Sequence, residues 1–188
     1  MFFQLKSYLS FLIKSSTQHG VHSPFVYNLT TRCLRKKLLK NTLKEQHNNN
    51  QKKRSLSSKK ETLLLNIISY FRIKKVLEIT NYSKSEYIIV SENSSKTSTS
   101  ITKELVDFFF LNQISSKENL NNEFNACLKN IHNNSIVIVN NIHLNHEMEK
   151  AWKSIKENSK VTVTIDIYHF GLVFFRKEQE KEDFIIRV

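Results

Sequence analysis

The sequence predicts an α/β fold built on a doubly wound, mostly parallel sheet that ends in an antiparallel hairpin strand. Three observations in the last third of the chain predict this fold. The β-branched run Ile136 to Val139 indicates a buried strand, and Glu147 to Glu157, with apolar residues at helical spacing, indicates the helix after it. Val161 to Tyr168 and Leu172 to Phe175 then indicate two strands joined by a short turn. A strand, a helix and a hairpin in this order are typical of such a sheet with one antiparallel edge strand.

The N-terminal part of the chain predicts a helical extension before the sheet. The first helix has an apolar side that suits docking onto a domain. This side consists of Phe2, Leu5, Leu9, Leu12 and Ile13. Lys6 and Lys14 interrupt the apolar stretch, which argues against a signal peptide. A second helix is predicted from Pro24 to about Leu39, with Ser23 as its N-cap.

The middle of the chain predicts the first strand of the sheet and its flanking helices. A capping box from Ser58 to Glu61 begins a helix that leads into a strand from Lys75 to Ile79. Tyr87, Ile88 and Val90 are then assigned to the helix that follows this strand. The polar stretch "SSKTSTSI" after it indicates at best a thin edge strand.

A second strand and helix precede the closing pattern. Val106 to Leu111 indicates a strongly buried strand, and Asn121 to Ile131 indicates the helix after it. We therefore predict a helical extension and basic connector over residues 1–60, and the sheet domain over residues 61–188.

The net charge of +12 is concentrated in one segment. Between Arg32 and Lys60, eleven basic residues stand against a single acid, Glu45. Such a run is typical of a solvated helix end and a flexible connector. It has no aromatic residue on which a base could stack, so the expected affinity for nucleic acid is weak, nonspecific and dependent on counterion release. An accessory protein of nucleic acid stays a minor alternative.

Composition narrows the class of protein. The 188 residues suit one domain, and no apolar run approaches the roughly 18 residues that span a bilayer, so no membrane partner is expected. Cys33 and Cys127 lie in helical patterns and are predicted to be buried free thiols, which favours a reducing cytoplasm. His143 and His146 lack a third convergent ligand, so no metal site is predicted. Asp166, inside a strand, is expected to face solvent or to cap an edge.

Four segments carry a resemblance to a known family: "HGVHSPFVYNL", "VLEI", "VDFFFLN" and the stretch from "NNIHLNHEMEKAW" to the end of the chain. They resemble the class I S-adenosylmethionine-dependent methyltransferases, in particular the small O-methyltransferase-like proteins of Bacteroidetes-type bacteria. The resemblance implies a Rossmann-like sheet whose cofactor, S-adenosylmethionine, lies over the carboxyl ends of the strands where the topology reverses. It also implies methyl transfer to a small hydroxyl-type acceptor. Judged against a domain of the family's length, chain is missing between Ile101 and Glu104, so the sheet is predicted to be shortened.

The resemblance assigns residues to the cofactor and the acceptor. Carried over to this sequence, the cofactor pocket is lined by Glu78, Thr80, Asn81 and Asn112. The side chains that face the substrate are Asn141 and His143.

Several of these positions depart from the family pattern. Two glycines after the first strand are replaced by Thr80 and Lys84, which fill space that the cofactor needs. The acid after the fourth strand is replaced by Asn112, and the acidic pair after the fifth by Asn140 and Asn141. An amide provides neither an anionic ligand nor a general base. These departures predict a methyltransferase whose activity is weakened or lost.

Two hypotheses of different classes therefore stay open. The first is a methyltransferase that acts on a small molecule, and the second is a non-catalytic remnant of the fold that serves as an interaction protein. An exposed edge strand would also allow the chain to form a homodimer.

Overall fold

In a computed structural model of the chain, eight strands form one sheet in the order β3-β2-β1-β4-β5-β7-β6-β8. Six strands run in one direction, and β2 and β7 run in the other. The strands are β1 (Lys75–Thr80), β2 (Ser83–Ser91), β3 (Ser94–Ser98), β4 (Phe108–Asn112), β5 (Ile136–Asn140), β6 (Val163–Asp166), β7 (Phe170–Phe174) and β8 (Glu182–Ile185). The helices are α1 (Phe2–Lys14), α2 (Pro24–Leu29), α3 (Ser58–Tyr70), α4 (Lys117–Cys127) and α5 (His146–Glu157). The predicted α/β fold with a mostly parallel sheet is confirmed.

The structure describes residues 2–17, 20–36, 56–80, 83–91, 94–98 and 105–188, and at 58, 83–91 and 94–98 it describes the backbone alone. None of the helices in these ranges combines the length and the apolarity needed to cross a membrane.

The chain divides into two units at boundaries that differ from the predicted division at residue 60. One unit comprises Met1–Ser16 and Ile73–Arg187, and the other comprises Thr17–Arg72 with Val188. In the first unit, Ser16 pairs with Ile186 beyond β8, and its N–H donates to the carbonyl of Ile185 at 2.9 Å. In the second, Asn66 of α3 donates to the carbonyl of Lys36 at 2.7 Å. The N-terminal helix thus belongs with the sheet, and α3 belongs with α2.

The helical unit begins as the sequence predicts and then differs in detail. Pro24 opens α2, and the Ser23 hydroxyl accepts from the Val26 N–H. A π-helical segment, Thr30–Leu34, continues this helix, because the Arg35 N–H reaches back to the Thr30 carbonyl. The predicted end of this helix, at about Leu39, lies outside the described ranges. The N-cap of α3 is Ser57 rather than the predicted Ser58.

The chain after β1 forms a hairpin where the sequence predicts a helix. Thr80 pairs with Ser83, so only residues 81 and 82 separate β1 from β2. Tyr87 and Ile88 lie in β2 opposite Leu77 and Val76, and their assignment to a helix is wrong. The physical reason is that aromatic and β-branched residues fit a pleated strand at least as well as a helix. The thin edge strand is confirmed as β3. The sheet was predicted to be shortened, yet it has eight strands. The chain saves length in its connections instead, because links of two residues at 81–82 and 92–93 leave no room for helices.

The closing hairpin is confirmed, but its antiparallel strand lies inside the sheet. β7 pairs with β5 on one side and with β6 on the other, and β8 forms the edge that was assigned to β7. A close approach explains this position: a Cβ on Gly171 of β7 would lie 2.6 Å from Cζ3 of Trp152. Only glycine lets the indole of α5 rest directly on the sheet there.

The core lies between one face of the sheet and the helices α4 and α5. Alternate residues of the inner strands, including Phe109, Leu111, Val137 and Val139, face this core. From the helices come Leu120, Phe124, Cys127, Met148, Ala151, Trp152 and Ile155. Cys33 and Cys127 are buried free thiols, as predicted, and burial raises the pKa of the Cys33 thiol to about 12.

Helix α1 faces opposite to the predicted direction. Its buried residues are Ser7 and Phe11, while Phe2, Leu5, Leu9 and Ile13 are exposed. The expectation that the apolar side docks onto the domain is therefore wrong for these four residues. The reason is that the surface beneath α1 is partly polar and partly aromatic: Ser7 meets the side chains of His143 and Glu149 there, and Phe11 packs against Tyr168.

Candidate functional site

Three of the residues that the resemblance assigns to the cofactor lie together at the carboxyl edge of the sheet. Strand order reverses between β1 and β4, where ligands of doubly wound sheets commonly bind. Thr80 and Asn112, at the ends of these strands, are register partners, and Glu78 lies two residues earlier on β1. Asn81, the fourth predicted residue, lies outside the described ranges.

Side-chain hydrogen bonds close this edge. The Asn112 amide donates to Oε1 of Glu78 at 2.9 Å, and its Oδ1 accepts from the Asn140 amide at 2.7 Å. The Gln113 N–H donates to the same oxygen at 2.9 Å. Asn112 is only 1% exposed. Its amide thus bridges Glu78 and Asn140, and we call these three residues the amide bridge.

The amide bridge does not fit the donors of an adenosylmethionine cofactor. Asn112 supplies no second carboxylate to accept ribose hydroxyls, and the remaining carboxylate, Glu78, already accepts from Asn112. The backbone after β1 turns straight into β2, so Thr80 belongs to a strand pair rather than to a glycine-rich turn that a ligand could approach.

A second cluster of polar residues lies where β5 and β6 end. The His143 ring, just beyond β5, has Nε2 2.8 Å from Oδ2 of Asp166 and Nδ1 2.8 Å from Oε1 of Glu149. The Ser7 hydroxyl of α1 donates to the same Glu149 oxygen at 2.5 Å and lies 3.0 Å from Nδ1 of His143. Tyr168 stacks on the His143 ring with centroids 5.2 Å apart. We call these five residues the His143 cluster.

Hydrogen bonds and charges within this cluster shift the pKa values of His143 and Glu149. Burial alone would lower the pKa of His143, but the hydrogen bonds and charges of Asp166 and Glu149 outweigh burial and raise it above the ordinary value. Burial would conversely raise the pKa of Glu149, yet the hydrogen bonds from Ser7 and His143 hold it below the ordinary value. Both shifts favour a protonated His143 ring paired with an ionised Glu149.

This arrangement restricts the chemistry that the His143 cluster can perform. Both ring nitrogens of His143 are bound to carboxylates, so neither offers a lone pair to a substrate. The Ser7 hydroxyl donates to Glu149, and the lowered pKa of that carboxylate makes it a weak base, so Ser7 is poorly activated as a nucleophile. The cluster is therefore suited to holding charge in place rather than to transferring protons.

The His143 cluster borders a cavity of about 650 Å³ between α1 and α5. Its walls combine aromatic rings with charged groups. The lining residues are Phe3, Lys6, Ser7, Ser10, Phe11, Lys14, His143, His146, Glu149, Trp152, Lys153, Lys156, Asp166, Asp183, Phe184 and Ile185. Among the described residues, no group of three His, Cys, Asp or Glu side chains is placed to hold a metal ion.

The two residues predicted to face the substrate lie in different environments. His143 lines the cavity, whereas Asn141 forms a turn with φ of 57°, and its N–H donates to the His169 carbonyl at 2.8 Å. The expectation that Asp166 faces solvent or caps an edge is wrong, because Asp166 is buried against His143 and the Tyr168 N–H.

Sequence reasoning missed the partners of His143. An acid that ends an apolar strand, as Asp166 does, signals a buried charge that needs a partner. No local signal could identify Ser7, which is 136 positions from His143.

Most of the basic segment lies outside the described ranges, and nucleic-acid contact through it stays a prediction. The two edges of the sheet are β3 and β8. The β8 edge carries Glu182 and Asp183, charges that oppose pairing with another strand. Comparison with protein-family models, with curated proteins and with solved structures gives no match to this chain.

Proposed function

We propose that this chain is a methyltransferase-like α/β protein that has lost its cofactor site and acts by binding rather than by methyl transfer. The observation that carries the proposal is the amide bridge. Where the resemblance expects an acidic, ligand-accepting edge, Asn112 is buried and joined to Glu78 and Asn140 by hydrogen bonds of 2.9 and 2.7 Å.

Opening this edge for a cofactor would be costly. A ribose that took Oε1 of Glu78 as its acceptor would displace the Asn112 amide, and a buried donor without a partner costs about 1–3 kcal/mol. The Thr80–Ser83 pairing would also have to open before a ligand could approach the backbone of β1. These two penalties are independent, since one concerns side chains and the other the strand ladder.

The His143 cluster also supports a loss of methyl transfer, because it lacks a base for the methyl acceptor. Methyl transfer to a hydroxyl group is assisted by a base that removes the proton. His143, the residue that the resemblance places toward the substrate, has both nitrogens bound to carboxylates. It therefore offers charge and shape to a ligand, but no base.

One observation favours the alternative of an active methyltransferase acting on a small hydroxyl-type molecule. Glu78 keeps a carboxylate near the carboxyl end of β1, beside the point where the strand order reverses. With Thr80, it would be the remaining contact of a weakened cofactor site.

Calorimetric titration with S-adenosylmethionine separates the two. We expect no binding tighter than about 100 μM, which corresponds to roughly 5.5 kcal/mol. A tighter dissociation constant would overturn the proposal. Cooperative unfolding in urea should be recorded on the same preparation, because a missing heat signal counts only for a folded protein. S-adenosylhomocysteine, titrated in parallel, tests whether any affinity depends on the charge of the sulfonium.

A further inference from the structure

We propose that the cavity between α1 and α5 binds a small anion with an apolar body, of the class of medium-chain carboxylates. This inference rests on the proposed function, since it names a ligand for a protein that acts by binding. It concerns the cavity beside the His143 cluster and not the amide bridge.

The size and the walls of the cavity suit such a molecule. Its volume of about 650 Å³ lies within the range of roughly 300–1,000 Å³ that is usual for small-molecule pockets. The apolar part of the lining is mainly aromatic, with Phe3 and Phe11 from α1, Trp152 from α5 and Phe184 from β8. A bare inorganic anion would leave these rings without contact, so the ligand needs an apolar portion.

The charges of the lining select an anion. Four lysines face three carboxylates, which leaves a surplus of one positive charge (four minus three), and the raised pKa of His143 adds to this surplus. Each carboxylate already has partners within the described part of the chain. Asp166 and Glu149 bind His143, and Asp183 accepts from the Thr164 hydroxyl at 2.6 Å and pairs with Lys156 at 3.3 Å.

The other three lysines of the lining are less engaged. Within the described part of the chain, Lys153 has only an exposed pair with Glu157 at 3.9 Å, which contributes little. Lys6 and Lys14 form no ion pair with any residue in the described ranges. They lie eight positions apart on α1, about 12 Å along the helix axis. A carboxylate placed between the aromatic walls and either ammonium group would satisfy both parts of the site.

Trp152 makes the proposal directly measurable. It is the one tryptophan of the 188 residues, and it lines the cavity, so its fluorescence reports on this site. Decanoate, decanol and decyltrimethylammonium form a matched series with the same chain and a negative, neutral or positive head. Each is titrated below its micelle concentration. We expect decanoate to change the Trp152 emission saturably, at a concentration at least tenfold lower than decanol, and the cation to have no effect.

Charge-reversal variants then locate the head group. Of Lys6→Glu and Lys14→Glu, the variant at the lysine beside the carboxylate should weaken decanoate binding roughly tenfold, since it removes a favourable charge and adds a repulsive one, and the other should weaken binding less. Lys129→Glu is the matched control, because Lys129 is exposed and lies outside the lining. Matching circular dichroism and urea midpoints establish that the variants fold.

Three results would overturn the ligand class: no saturable change with decanoate, an equal response to decanol or the cation, or an equal effect of Lys129→Glu. These failures are distinguishable from failure of the proposed function. Tight binding of S-adenosylmethionine overturns the proposed function whatever decanoate does, and absence of decanoate binding leaves the closed cofactor edge untouched.

Discussion

His143 and Asp166 are 23 positions apart in the chain, yet Nε2 and Oδ2 lie 2.8 Å from each other. The sheet explains this distance. β5 and β6 run in the same direction with β7 between them, so the residues that follow β5 and those that end β6 emerge at the same edge. The ring of His143 then reaches across to Asp166, while Glu149 at the start of α5 binds the other nitrogen.

The pH dependence of stability should reveal this pairing. The pKa of His143 is raised in the folded protein, so its contribution is complete below the unfolded pKa of about 6.5 and is lost as pH rises through the higher folded value. We expect wild type to exceed His143→Gln in unfolding free energy by about 1–3 kcal/mol at pH 6, with the difference shrinking toward pH 9. Urea unfolding at several pH values measures this difference. A difference that stays constant or grows with pH would contradict the charged pairing.

The amide bridge predicts a pH dependence of stability with the opposite sign. Asn112→Asp restores the acid that the resemblance expects, but it also replaces the N–H that Glu78 accepts with an oxygen. Two carboxylates then meet in a buried place, and we expect a loss of about 1–3 kcal/mol near neutral pH that diminishes as pH falls and one acid is protonated.

Asn122→Asp on the exposed surface of α4 is the matched control, with an expected change within about 0.5 kcal/mol. Urea unfolding of both variants at pH 5 and pH 7 provides the measurement. If Asn112→Asp were neutral at both pH values, Asn112 would not hold the edge closed.

The sequence alone predicts those strands and helices whose hydrophobic pattern is local. β4, β5 and α5 have apolar runs or helical spacing that few alternative structures satisfy, and their positions agree with prediction within two residues. β2 was assigned to a helix because Tyr87, Ile88 and Val90 suit either structure, and only the strand beside them decides.

The candidate site could be predicted less completely from the sequence than the fold. The cofactor residues were grouped by resemblance, but the bonding of Asn112 to Glu78 depends on the register of β1 and β4, which hydrophobic pattern alone does not fix. The His143 cluster collects side chains from α1, α5 and two strand ends. No spacing rule links residues so far apart, and the inward face of α1 depends on this polar surface beneath it.

Gly171 provides a test of how closely α5 approaches the sheet. In Gly171→Ala, the new Cβ would lie 2.6 Å from Cζ3 and 2.7 Å from Cη2 of Trp152, so the indole or the strand must move. We expect a loss of about 1–3 kcal/mol, as for other overpacked cores. Trp152→Phe removes the ring atoms in conflict, so the double variant should be more stable than the sum of the two single losses implies. Additive losses in urea unfolding would show that the clash is not with Trp152.

Paired truncations on α1 should distinguish its observed orientation from the predicted one. Leu9 is 52% exposed, whereas Phe11 is 6% exposed and packs against Tyr168 with ring centroids 5.4 Å apart. Leu9→Ala should therefore change the unfolding free energy by no more than about 0.5 kcal/mol, and Phe11→Ala should lower it by about 3–5 kcal/mol. Because alanine raises helix propensity at both positions, the comparison isolates burial. The reverse order in urea unfolding would mean that α1 docks by its apolar side and that Ser7 does not contact the His143 ring.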